Sequence, residues 1–163
     1  MVSKRLSREA GHKRKFLAIV DDTPECDRAV AYASRRAKST NGSVVLLFVI
    51  EPGDFQHWLG VEQIMREEAT NNAQAALNVY ASQIRETVGI EPELVVREGS
   101  KVDEIHKLIE EDQDIAILVL GAGNAKEGPG PLVSSIAGKA AAFPIPVTVV
   151  PHALTDEEIE SLA

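Results

Sequence analysis

The chain has 163 residues, enough for one domain with a core of its own, and its formal net charge of −8 disfavours nucleic acid and anionic membranes as partners. A single cysteine, Cys26, excludes an intramolecular disulfide, and no Cys or His cluster has metal-ligand spacing. With aromatic residues at only 4%, the core must be aliphatic.

No run is long and apolar enough for a membrane helix, and the N-terminus lacks the apolar middle of a secretory signal, so a cytoplasmic protein is expected. Residues 1–14 carry Lys4, Arg5, Arg8, Lys13 and Arg14 against Glu9 alone. They read as a basic arm without apolar anchors, expected to be disordered. The domain proper is expected over residues 15–151, with residues 152–163 as a tail.

Lys15 to Asp21 (KFLAIVD) is nearly all apolar, as a strand buried on both faces would be. Thr23 then offers a helix cap with Pro24 in first position, and Ala29, Val30, Ala33 and Ala37 recur at helical spacing up to a stop at Asn41-Gly42. Ser43 to Ile50 (SVVLLFVI) is a second buried strand, and Glu51-Pro52-Gly53-Asp54 turns the chain. A long helix follows from Val61 to Thr87, with Ala73, Leu77, Tyr80, Ile84 and Val88 on one stripe.

Glu93 to Arg97 is a third strand, and Gly99-Ser100 lead into a helix striped by Val102, Ile105, Leu108 and Ile109. Ile115 to Leu120 is a fourth strand. It opens into a loop rich in Gly and Pro, after which Val133, Ile136, Ala137, Ala140 and Ala141 mark a fourth helix. Pro144 halts that helix, Pro146 opens a fifth strand over residues 147–150, and Thr155 with Glu158 forms a capping box for a short terminal helix.

Five strands alternating with helices predict a single-domain α/β fold, a doubly wound open parallel sheet with helices on both faces. In such a sheet a ligand lies beyond the strand C-termini, where the winding reverses. The segment from Ile115 to Val150 is the natural anion site, because a strand, a glycine loop and a helix start bring free backbone N–H groups together.

The run VLGAG…SSI…PIPVTVV, with Ile-Val-Asp-Asp-Thr after the first strand and Leu-Leu-Phe-Val-Ile-Glu in the second, resembles the universal stress protein family from about Lys15 to Val150. The resemblance implies strand order 3-2-1-4-5 and a homodimer paired through strand 147–150. It also implies a site for ATP or another adenine nucleotide, with any Mg2+ carried by the nucleotide. The family's signature is Gly, two residues, Gly, nine residues, then Gly and Ser or Thr. Here Gly121 and Ser135 match, whereas Asn124 and Ser134 stand where glycines are expected.

By the same resemblance, Asp21 falls on the acidic residue that accepts hydrogen bonds from the nucleoside, and Val49 on the residue packed against adenine. Leu120 and Gly121 fall on the pocket base. Gly123 and Gly130 keep the loop supple, and Ser134, Ser135 and Ile136 begin the helix against the phosphates. Each also has a plainer reading: Asp21 as a local turn former, the serines as a helix cap, Gly121 as a sharp turn.

Other residues read more simply as structure. Lys126-Glu127 is a solvated pair, His57-Trp58 a surface loop with a conceivable lid role, and Cys26 a core-edge thiol. His106 is expected on the outer side of its helix, with His12 and His152 in tails. No Ser-His-Asp set or paired acid-base carboxylates stand out, so an enzyme is not expected. The sequence thus predicts a regulatory module that binds an adenine nucleotide and addresses an unidentified protein partner. The alternative is a dimeric interaction module of the same family without a nucleotide, and a weak ATPase ranks last.

Overall fold

A computed structural model of the chain describes residues 3–54, 60–124, 126 and 128–163. Five strands, β1 (Lys15–Ile19), β2 (Ser43–Ile50), β3 (Glu93–Glu98), β4 (Ile115–Gly121) and β5 (Val147–Val150), form one sheet in the order β3-β2-β1-β4-β5. Every pairing is parallel. The helices α1 (Cys26–Ser39), α2 (Val61–Thr87), α3 (Lys101–Glu111), α4 (Pro131–Ala137) and α5 (Asp156–Leu162) complete the fold.

The apolar runs of the central strands are continuous because both faces of the sheet are covered. Side chains alternate along β1, so Phe16, Ala18 and Val20 enter one core with Ala29, Val30 and Ala33 of α1, Leu77 and Ile84 of α2 and Ile159 of α5. Leu17 and Ile19 enter the opposite core with Ile105 and Ile109 of α3 and Val133 and Ile136 of α4.

Helix boundaries shift slightly from the sequence expectation. Asp21 accepts hydrogen bonds from both the backbone N–H and the hydroxyl of Thr23. Thr23 therefore belongs to a turn, and α1 begins at Cys26 rather than beside Pro24. Its C-terminal stop lies where expected: Asn41 has φ +56°, and the Gly42 N–H donates to the Ala37 carbonyl at 2.7 Å. Helix α4 is shorter than its small-residue run, ending at Ala137 before a 3-10 turn over Ala140–Ala142.

The N-terminal arm departs most from expectation. From Ser3 on, it lies along the end of α3. Arg5 donates from Nη1 to the carbonyls of Ile109, Asp112 and Ile115 at 2.6, 3.2 and 3.2 Å, and the Leu6 N–H donates to the Gln113 carbonyl. The last turn of α3 carries no basic residue of its own. Its unpartnered carbonyls and negative helix end take a guanidinium from the arm instead, which an inspection for apolar anchors overlooks.

Candidate functional site

Every β-to-α loop of a parallel sheet leaves by the same edge, and the winding reverses between β1 and β4. At that point lies a cavity of about 610 Å3, walled by the β1–α1 loop, the start of α3 and the loop after β4. A second cavity of about 430 Å3 adjoins it beside β2 and α2, and Asp21, Thr23, Glu51 and Lys101 line both.

The loop after β4 is built from two constrained glycines. A Cβ on Gly121 would stand 1.9 Å from the carbonyl oxygen of Glu25, so the β1–α1 loop can close against β4 only over a bare backbone. Gly130 precedes α4 with φ +96° and ψ 158°, a conformation reserved for glycine. Between them the loop folds on itself. The Gly123 N–H donates to the Pro129 carbonyl at 3.0 Å, and the Lys126 N–H donates to Oδ1 of Asn124 at 3.1 Å.

Asp21, Leu120, Gly121, Gly123, Gly130 and Ser135 all line the larger cavity. Val49 lines the second, beside Phe48 and Met65. Three of the expected residues do not face either space. Asn124 spends its side chain within the loop. Its tolerance of left-handed backbone goes unused, because Asn41 is the non-glycine with positive φ among the described residues. Ser134 is exposed, with its N–H bonded to the Gly130 carbonyl, and Ile136 is buried in the core beneath the sheet.

The sequence reading missed Glu25 and Lys101. Lys101 opens α3 and reaches Asp21, with Nζ 3.7 Å from Oδ2. Its signal was available, since the β3–α3 loop must emerge at the same edge as the loops after β1 and β4. Glu25, half-buried in the cavity wall, is fixed there by the contact of its carbonyl with Gly121. Hydrogen bonding within the β1–α1 turn holds its carboxyl below the usual carboxylate range.

Cys26 forms part of the inner wall, 4% exposed, with Sγ 3.3 Å from the Tyr80 hydroxyl and 3.7 Å from the Asp21 carbonyl. Burial pushes its thiol up in pKa, and burial with the same contact pushes the Tyr80 phenol up. His106 is exposed on α3, its ring centroid 5.1 Å from that of Phe143, and His12 pairs with Asp114 at 2.7 Å. His57, Trp58 and Glu127 lie outside the described residues. Among the described residues no three His, Cys, Asp or Glu side chains are grouped to hold a metal, and no helix is long and apolar enough to cross a membrane.

A 3-2-1-4-5 parallel sheet with a ligand-sized space at its switch point defines a doubly wound open α/β protein. The sequence matches the universal stress protein family over residues 13–151, and the chain belongs to that family. Similar solved structures include the universal stress protein UspA from Lactobacillus plantarum, at 15% identity and TM-score 0.70 over 84% of this chain and 97% of that one. Another is the universal stress protein from Archaeoglobus fulgidus in complex with dAMP, at 19% identity and TM-score 0.58 over 84% and 97%. A third is a universal stress family protein from Arabidopsis thaliana with AMP bound, at 18% identity and TM-score 0.61 over 88% and 94%. No curated protein sequence matches this one.

Proposed function

We propose that this universal stress protein is a regulatory module that holds an adenine nucleotide at the C-terminal edge of its sheet. The carrying observation is the cavity of about 610 Å3 at the switch point, within the roughly 300–1,000 Å3 of small-molecule sites. In this reading Val49 and its neighbours in the adjoining cavity receive the adenine, and Asp21 at the seam accepts hydrogen bonds from the nucleoside. The Gly121 to Ser135 loop borders the phosphate end, and Lys101 lines the same cavity. The dAMP and AMP complexes of the two relatives support the ligand class.

Titration calorimetry of AMP into nucleotide-free protein tests the reading. Heat of binding with a rise in melting temperature is the expected result, and neither effect at millimolar AMP sinks it. The self-closure of the loop through Gly123 and Pro129 favours a second reading, an interaction module without nucleotide. Absence of binding in that titration is what this alternative requires.

The partner in either reading is first a second copy of the chain. Among the described residues strand β5 is an edge strand paired with β4 alone, and Val149 on it is 43% exposed. A row of unpaired backbone groups beside an exposed apolar side chain suits strand pairing across a two-fold axis. Light scattering should show a dimer in the native protein and a monomer after Val149→Lys. A native monomer at tens of micromolar would remove the dimer from the proposal.

A further inference from the structure

We propose that Glu25 makes the cavity a charge filter, so that the site takes an adenine nucleotide bearing one phosphate and turns away the triphosphate. The inference rests on the nucleotide reading above and specifies the ligand within it. Three carboxylates, Asp21, Glu25 and Glu51, line the larger cavity, against the one cation Lys101 among its described lining residues. Lys101 is shared with Asp21, its Nζ 3.7 Å from Oδ2.

Glu25 stands where added phosphates would extend. Its Oε1 lies 3.4 Å from the Cβ position of Gly123, so the carboxylate rests against the backbone of the loop that borders the phosphate end. The backbone of Glu25 is held at this place by the packing of its carbonyl against Gly121. Two of the loop's N–H groups, those of Gly123 and Lys126, are already spent on Pro129 and Asn124. A first phosphate can draw on Lys101 and the Ser135 hydroxyl, whereas a second and third meet the Glu25 carboxylate.

The two further charges that distinguish ATP from AMP, placed roughly 7 Å from one carboxylate in water-like surroundings, cost on the order of tenfold in affinity. Calorimetric titration of AMP and of ATP, both in EDTA, into the native protein and into Glu25→Gln tests the filter. AMP should bind the native protein about tenfold more tightly than ATP. In Glu25→Gln the gap should close to about threefold or less, through a gain for ATP with AMP little changed.

The isosteric amide keeps the carbonyl contact with Gly121, and a melting curve checks the fold. A second measurement needs no variant: raising NaCl from about 50 to 500 mM should narrow the AMP-to-ATP ratio of the native protein, as screening weakens the repulsion. Equal affinities in the native protein, or a gap that survives both the substitution and high salt, overturn the filter and leave the nucleotide reading standing. Failure of AMP and ATP alike to bind overturns both.

Discussion

Gly121 shows how one missing methyl group can organise a site. Its Cα approaches the Glu25 carbonyl so closely that Gly121→Ala must push the β1–α1 loop away from β4, a displacement of backbone rather than of a yielding side chain. The substitution should cost about 2 kcal/mol or more, lowering the melting temperature by about 5 °C, whereas Gly53→Ala, with open space around its Cβ and no left-handed backbone, should be near neutral. Paired thermal melts measure the difference. Cys26 illustrates the opposite case, a reactive atom made inert by its surroundings. With its thiol raised by burial and its Sγ against Tyr80, it should react with iodoacetamide at least tenfold more slowly than a free thiol at pH 8, in a quenched alkylation time course.

Among the elements, α5 depends most visibly on its ends. Thr155 caps it by accepting the Glu158 N–H at 3.2 Å, and Arg28 and Arg35 of α1 reach Asp156 and Glu160 on its outer side, each at 2.7 Å. The exposed acidic partners make those ion pairs weak, so its attachment depends chiefly on the buried Ile159 and the cap. Thr155→Ala should destabilise the protein by about 1 kcal/mol, seen as a lower urea midpoint at unchanged slope. Helix α3 is tied at both ends by groups from elsewhere, Arg5 at its last turn and the Lys101–Asp21 pair at its first. Across the roughly 16 Å of such a helix, the arm and the cavity share one rigid element.

For the whole molecule, the alkaline limit of stability is set by groups that hold their protons more tightly when folded. Burial raises Cys26 above 9.0, and burial with the Cys26 contact raises Tyr80 above 10.0. Burial opposes the rise at Lys15, but its hydrogen bonds to Asp112 and Glu93, both 2.8 Å, outweigh it and raise the ammonium above 10.5. Each contribution is complete below the ordinary value and is lost as pH climbs through the folded one. The melting temperature should therefore decline from about pH 9, and Lys15→Met should flatten the part above pH 10.5 while leaving the earlier decline in place.

At this scale the sheet was the most legible part of the sequence. Both-face burial leaves continuous runs such as SVVLLFVI, and β2 and β5 keep the bounds those runs predict. The strand order came from resemblance, since apolar runs do not say which neighbours pair. The lining of the cavity was half legible. Strand ends such as Asp21 and Leu120 are placed by the sheet and line the cavity, whereas Asn124, Ser134 and Ile136 lie in a loop and short helix whose path depends on where Gly130 turns. Lys101 and Glu25 escaped notice because a charged residue beside a helix start reads as ordinary solvated surface until the loops are brought together.

The docking of the arm has a consequence for protease access. Residues 3–12 are held to the body chiefly by one guanidinium on three carbonyls, with the Leu6 N–H, the Ser3–Glu110 contact and the His12–Asp114 pair beside it. An attachment concentrated in so few groups opens as a unit, and cleavage within it reports that opening. In the native protein, trypsin should cut after the exposed Arg8 only slowly. Arg5→Ala should speed that cut about tenfold, followed by mass spectrometry of the clipped chain, while the sites within α1 and α3 stay protected. The first dozen residues thus carry a built-in reporter of whether the far end of α3 is latched.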